Sequence, residues 1–310
     1  MNTSARPLDA VSRSWVERAP DRLQPYLRLM RLDRPIGTWL LYWPCVFGLV
    51  LGANAEGRSF GTWQDVWFLV LFGVGALVMR GAGCTYNDIV DRDIDAKVAR
   101  TAARPIPSGA IGVRRAWLFL GAQCALGFAI LMQFNWFAVQ LGVASLLLIA
   151  AYPFMKRVTW CPQAWLGLTF NWGVVLGFAA VVGEVDGTAL LFYAGCFFWT
   201  LGYDTIYALQ DMEDDALAGV KSTARLFGAR SREAVLVFYA AAFALMATAG
   251  LWANLGPIFL ALMLPMGAHF IWQVRSLKID RPEVCLHLFR ANRDTGALIA
   301  AALILAGYLL

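Results

Sequence analysis

Eight of the 21 acidic residues lie in two short windows, Asn87-Asp88-Ile89-Val90-Asp91-Arg92-Asp93-Ile94-Asp95 and Asp211-Met212-Glu213-Asp214-Asp215. On a helix, Asn87, Asp91 and Asp95 follow i, i+4, i+8 and stack on one face, with Asp88 beside Asp91 at i+3. Asp204, Tyr207, Asp211 and Asp215 follow a similar spacing, flanked by Asp214. Carboxylates about 4 Å apart repel by about 4 kcal/mol at an effective dielectric near 20, so each column calls for a cation. Oxygen ligands without Cys or His select a hard ion. Mg²⁺ is usually held by a few carboxylates and completes its octahedron with water and substrate phosphate. The simplest reading is two acidic columns bridged by Mg²⁺ to a diphosphate. A single charge run reads equally well as a solvated helix end, but two at matched positions, each followed by a cationic loop, favour a site.

The elements that must position these columns are membrane helices. The chain has 310 residues, 59% hydrophobic and 15% charged, against about 25% charge in an ordinary soluble domain. At about 20 apolar residues per span, the runs predict an all-α polytopic bundle with spans near 36–54, 65–87, 114–133, 136–153, 163–183, 188–210, 232–252, 256–274 and 294–310. Residues 1–35 form a separate interfacial segment without the apolar core of a signal peptide. Within it, Gln24–Arg34 reads as an amphipathic stretch offering Tyr26, Leu27, Met30 and Leu32 to lipid and Arg28 and Arg31 to headgroups. The membrane domain, 36–310, reads as two four-helix pseudo-repeats, about 36–153 and 163–274, plus a final helix.

Of the 26 Lys and Arg, 24 fall in the N-terminal segment or in even-numbered connections. The positive-inside rule then puts the amino terminus and both acidic windows on the cytosolic face, or the matrix face if the membrane is mitochondrial. The net charge of +5 is thus topology plus an anion site, and nucleic acid is excluded as a partner. Six separated cysteines and two separated histidines argue against a disulfide scaffold and a zinc or haem site.

Arg80 precedes Asn87 by seven residues and Asp204 precedes Asp211 by seven. Both lie two turns deeper than the acids, where charge is costly unless paired or lining a wet cavity, so they are expected to face the substrate. Lys97, Arg100 and Arg104 follow the first window, Lys221 follows the second, and Lys156 and Arg157 end span 4 on the same side. Arg92 and Lys221 lie nearest the acids and are expected to bind the diphosphate, with Lys97 and Lys156 near at hand.

Five ordered motifs complete the reading: Arg31-Leu-Asp-Arg-Pro-Ile-Gly37; Met79-Arg-Gly-Ala-Gly-Cys84 leading into Asn87-Asp-Ile-Val-Asp91 and Asp95; Arg104-Pro-Ile-Pro-Ser-Gly109; Tyr152-Pro-Phe-Met-Lys-Arg157; and Tyr203-Asp-Thr-Ile-Tyr-Ala-Leu-Gln-Asp211 through Asp215 to Gly219-Val-Lys-Ser-Thr223. In these the chain resembles the UbiA superfamily of membrane prenyltransferases, and within it the branch that prenylates 4-hydroxybenzoate in ubiquinone biosynthesis. The resemblance implies a bundle of about nine helices around a central cavity and an allylic polyprenyl diphosphate as donor. It implies transfer to the carbon ortho to the phenol, giving 3-polyprenyl-4-hydroxybenzoate. By the same resemblance Asp91, Asp95, Asp211 and Asp215 are the Mg²⁺-diphosphate aspartates, Asn87 opens the first motif, Arg92 and Lys221 stand at diphosphate positions, and Arg157 holds the acceptor's carboxylate. Asp88, Lys97, Lys156, Tyr207, Arg80 and Asp204 complete the expected substrate-binding set. The membrane is then a bacterial plasma membrane or a mitochondrial inner membrane. Another aromatic acceptor is the alternative within the superfamily. A cation-coupled transporter is the rival outside it, and would call for mid-membrane charges and broken helices.

Overall fold

The computed structural model describes residues 14–96, 101–212, 216 and 219–309. Among them the long elements are all helical: a short α1 (Gln24–Leu29), then α2 (Ile36–Ala55), α3 (Trp63–Asp95), α4 (Val113–Leu131), α5 (Trp136–Val158), α6 (Pro162–Phe170), α7 (Trp172–Val182), α8 (Gly187–Ala208), α9 (Thr223–Phe227), α10 (Ser231–Trp252), α11 (Gly256–Ser276) and α12 (Pro282–Leu309). Every predicted span falls on a long helix or on the α6–α7 pair. Six stretches are long and apolar enough to cross a membrane: Ile36–Ala55, Trp63–Asp93, Trp136–Val158, Pro162–Val182, Thr223–Trp252 and Gly256–Ser276. The expected nine is therefore approximate. Of the remaining three, α4 carries Arg114, Arg115 and Gln123, α8 carries Asp204, and α12 carries a charged first half. Large apolar side chains stand exposed, including Leu118 (68%), Leu147 (78%) and Val237 (62%). On a soluble domain such surface would be a liability, and on these helices it suits lipid.

The chain divides into two compact units, Met1–Thr38 with Gly73–Gln133 and Trp39–Phe72 with Phe134–Leu310. In the first, Leu29, Ile89, Ile106, Ile111 and Ala116 form a buried cluster against which Tyr26, Phe119 and Leu120 pack. Tyr26 meets Phe119 edge-on at 5.0 Å. This narrows the reading of Gln24–Arg34 as a lipid anchor, since Tyr26 and Arg31 turn to protein. Leu29 is fully buried, Arg31 is buried, and a Cβ at Gly81 would touch Met30. Leu29 is spent on protein, where burying one Leu contributes about 2 kcal/mol over leaving it in water, while Leu27 and Leu32 stay half-buried.

The second unit is held by close backbone approach and by buried polar links. A Cβ on Gly48 of α2 would overlap the carbonyl oxygen of Val174 in α7, and one on Gly177 would overlap that of Cys45, so glycine is required on both helices where they cross. Across α8, α10, α11 and α12, the Trp199 indole donates to Asn292 Oδ1 (2.8 Å), Asn292 donates to Gln273 Oε1 (3.0 Å), and the Tyr239 hydroxyl donates to the same oxygen (2.7 Å). His269 pairs with Thr295 at 2.8 Å.

Three sequence expectations shift. The span at 163–183 breaks at Asn171, whose side-chain amide donates to Gly167 O (2.8 Å) and Thr200 Oγ1 (2.7 Å). The last helix starts at Pro282 rather than 294, because Cys285, Leu288 and Asn292 find buried partners and proline suits a first helical turn. Finally, α8 ends at Ala208 and tightens into a 3₁₀ turn, Leu209–Asp211. At 3.0 rather than 3.6 residues per turn, Asp211 departs from the α-helical column expected to run through Asp204.

Candidate active site

Helix α3 runs unbroken through the first window, so Asn87, Asp91 and Asp95 stand on one face of its last two turns. Asp88 and Asp91 are fully buried and Asp95 is 6% exposed. Three carboxylates at the negative end of a helix oppose its dipole, and arginines answer them. Arg31 grips Asp88 with one nitrogen at 2.7 and 2.8 Å from its two oxygens. Arg104 Nη1 donates to Asp95 Oδ2 at 2.7 Å and to Asp88 Oδ1 at 3.2 Å. Burial pushes the Asp95 carboxyl above its usual range, with the charges of Asp88 and Asp91 adding and Arg104 opposing. For Arg31, burial works against the charge, yet Asp88 holds its pKa above the ordinary arginine value.

Arg31 reaches Asp88 from an unusual backbone. Its N–H donates to Arg28 O and that of Leu32 to Leu27 O, both at 3.0 Å, and its φ is 58°. These are the bonds of a Schellman cap, whose left-handed residue is normally glycine. Arginine here accepts a cost of roughly 1–2 kcal/mol and gains a buried ion pair. Arg104 is held as firmly by its loop: its N–H donates to Thr101 O (2.9 Å), Ser108 N–H donates to Arg104 O (3.0 Å), and Thr101 donates to Asp95 O (2.8 Å). Ile106 and Ile111, buried in the cluster of the first unit, pin the same loop.

Asp88 therefore stands as an anchor for two arginines. Arg92 is 44% exposed in its side chain, donates to Ile89 O (3.3 Å) and lies 3.5 Å from the exposed Asp93. Arg80 is half-buried against Gly37, where a Cβ would overlap its guanidinium. Lys97 and Asp215 lie outside the described residues.

In the second unit, Lys221 N–H donates to Lys156 O at 3.2 Å and its ammonium to Val158 O at 3.1 Å. The structure thus brings Lys221 to the end of α5 that carries Lys156 and Arg157, where cations suit the helix C-terminus. Trp160, which sequence reasoning passed over, has Lys221 at 5.9 Å and Arg225 at 5.4 Å from its ring centroid. Such contacts hold cations at a fixed place without neutralising them. Arg157 is exposed and lies 5.9 Å from the Phe154 ring centroid. The loop bearing Lys221 is tied down by Thr223, which pairs with Thr205 of α8 (2.7 Å) and donates its N–H to Gln163 of α6 (3.1 Å). Tyr207 lies 4.5 Å from Phe289, and Asp204 and Asp211 are half-buried.

Among the described residues no three carboxylate, thiol or imidazole groups converge on one point. The donor set nevertheless suits Mg²⁺, which keeps several waters and takes one or two carboxylates plus substrate phosphate rather than a closed protein cage.

These features define a polytopic helical membrane protein whose acids and cations gather at helix ends. The chain belongs to the UbiA prenyltransferase family, which it matches over residues 41–306. It is 46% identical over 301 residues to the mitochondrial 4-hydroxybenzoate polyprenyltransferase of Bos taurus, covering 97% of this chain and 80% of that protein. With the Arabidopsis thaliana protein of the same name it shares 43% over 294 residues, covering 94% and 71%. Among solved structures, the apo UbiA homolog from Aeropyrum pernix K1 superposes with a TM-score of 0.72 at 28% identity, over 88% of this chain and 98% of that one. A UbiA homolog from Archaeoglobus fulgidus bound to GPP and Mg²⁺ shares the fold, with a TM-score of 0.66 at 22% identity over 92% and 98%.

Proposed function

We propose that this chain transfers a polyprenyl group from its diphosphate to the carbon ortho to the hydroxyl of 4-hydroxybenzoate. What carries the reading is 44–46% identity over 97% of the chain to proteins named for that reaction. Asp91 and Asp95 of the first window and Asp211 and Asp215 of the second are the carboxylates that would hold Mg²⁺. Bound there, the ion supplies positive charge to a departing diphosphate.

The chain's own groups do the rest. Lys221, fixed beside Lys156, offers a cation to the diphosphate, and preorganised charge is worth most where negative charge develops. Arg157 holds the acceptor's carboxylate, for which a planar guanidinium offers two parallel donors. The phenol of the acceptor activates its ortho carbon toward the allylic cation, and loss of the proton from that carbon after the C–C bond forms restores aromaticity, so no protein nucleophile is required. Apolar helix surface keeps that cation from water, and the polyprenyl tail, as apolar as lipid, stays with the bilayer. The membrane is a bacterial plasma membrane or a mitochondrial inner membrane, and the acidic windows face the cytosol or matrix.

The test is an assay of purified protein with Mg²⁺, a radiolabelled polyprenyl diphosphate series and a panel of aromatic acids, read by product mass. The expected product is 3-polyprenyl-4-hydroxybenzoate. Prenylation of another acid in preference to 4-hydroxybenzoate would replace the acceptor, and absence of any prenylated acid would refute the function.

A further inference from the structure

At the end of α3 four linked charges balance, Arg31 and Arg104 against Asp88 and Asp95, and the buried Asp91 adds a third carboxylate beside them. Their bonds are unequal in kind. Asp88 is fully buried and has both oxygens engaged by Arg31, at 2.7 and 2.8 Å, so it stays where it is. Asp95 lies at the last turn of the helix and is held by Arg104 at 2.7 Å. Arg104 is 20% exposed in its side chain, makes both of its carboxylate bonds through Nη1, and is joined to Asp88 by the longer contact of 3.2 Å. A guanidinium carries five donors, so one nitrogen on Asp88 leaves the rest of the fork able to serve another acceptor.

We propose that Arg104 is an exchange residue: it occupies Asp95 when no metal is bound, yields that carboxylate to the divalent cation, and turns to the diphosphate while remaining tethered to Asp88. This rests on the reading of Asp91 and Asp95 as metal carboxylates. The charge count gives the coupling its direction. Once Asp91 and Asp95 both serve the divalent cation, their two negative charges cancel its own, and Arg31, Arg104 and Asp88 are left with a net charge of +1, which an anion relieves. Cation and diphosphate are then taken up together, and departure of the diphosphate lets Arg104 reclaim Asp95 and expel the metal. The loop permits this exchange because its backbone is pinned by Ile106 and Ile111 while the side chain reaches out from it. Arg31 is the fixed point. By filling Asp88 it keeps that carboxylate from competing with Asp95 for the cation.

The test uses the full chain in detergent micelles and two probes, Mn²⁺ alone, followed by electron paramagnetic resonance of the free ion, and geranyl S-thiodiphosphate at saturating Mg²⁺. Arg104→Gln is expected to bind Mn²⁺ about tenfold more tightly than the wild type, equivalent to about 1.4 kcal/mol of competition removed, and to bind the thiodiphosphate more weakly. A residue that merely supports the fold would weaken both. Arg104→Lys, which keeps the cation on the same loop, is expected to bind Mn²⁺ close to the wild-type affinity, and stands in should the Gln variant fail to fold. Asp91→Ala separates the two levels of the argument. Mn²⁺ binding that this change leaves untouched overturns the metal reading and the exchange with it. Binding that depends on Asp91 but is not tightened by Arg104→Gln, or Arg104→Lys binding Mn²⁺ far more tightly than the wild type, overturns the exchange alone.

Discussion

Arg31→Ala should be among the most destabilising single changes in the first unit. It strips two charge-assisted hydrogen bonds, 2.7 and 2.8 Å long, from a carboxylate that is 0% exposed. Removing one partner of a buried ion pair costs about 3–5 kcal/mol, because the other charge is left stranded. Arg104 still lies 3.2 Å from Asp88 and answers part of that charge, so we expect a loss of about 2–3 kcal/mol. Arg31→Gly loses the same bonds but relieves the left-handed backbone at φ 58°, and should be about 1 kcal/mol more stable than Arg31→Ala. Adding Asp88→Asn to Arg31→Ala removes the stranded charge and should recover at least about 1 kcal/mol. The measurement is unfolding in SDS mixed micelles, followed by tryptophan fluorescence, with the double-mutant cycle closed at Arg31 and Asp88. A wild-type midpoint for Arg31→Ala, or strict additivity with Asp88→Asn, would refute both the ion pair and its role in seating the N-terminal segment. An Arg31→Gly variant less stable than Arg31→Ala would refute the strain argument alone.

Other predictions test the proposed chemistry and the packing. Asp91→Ala and Asp211→Ala, and equally chelation of divalent metal from the wild type, should reduce prenyl transfer by at least about a hundredfold with the helical circular dichroism intact; near-normal transfer by either purified variant at saturating Mg²⁺ would overturn the assignment. Arg157→Ala should raise the KM for 4-hydroxybenzoate by about tenfold or more and leave that for the prenyl donor nearly unchanged, so a loss confined to the donor rejects the carboxylate role. Gly177→Leu drives a side chain into the Cys45 carbonyl and should cost about 3 kcal/mol or more, read as a lowered unfolding midpoint. Asn292→Ala leaves the buried Trp199 indole without its acceptor and should cost about 1–2 kcal/mol, whereas a stability equal to the wild type would show that the network is dispensable.

Much of this protein is written along its chain. Apolar runs of about 20 residues have one stable outcome in a bilayer, since only helices satisfy their own backbone there, and each predicted span lies on helix. The i, i+4 spacing of Asn87, Asp91 and Asp95 survives because α3 continues to Asp95. What local periodicity does not contain is the partner. Arg31 and Asp88 are 57 residues apart, and nothing in QPYLRLMRLDR distinguishes an arginine for lipid headgroups from one for a buried aspartate. The left-handed cap that aims Arg31 inward would have been assigned to glycine. In the same way Arg104 reads as one of several loop cations until it is seen bonded to Asp95 and Asp88, and nothing along the chain marks Trp160 until Lys221 and Arg225 lie by its ring. The break at Asn171 goes with side-chain hydrogen bonds to Gly167 and to Thr200 of another helix, and the tightening of α8 after Ala208 is likewise not written in its period. Sequence alone determined which segments are helices and which residue types could bind a metal and a diphosphate, because those follow from hydropathy, period and donor chemistry. Tertiary structure decided which carboxylate is held by two arginines and which by one, because that depends on burial and on charges brought together from distant parts of the chain.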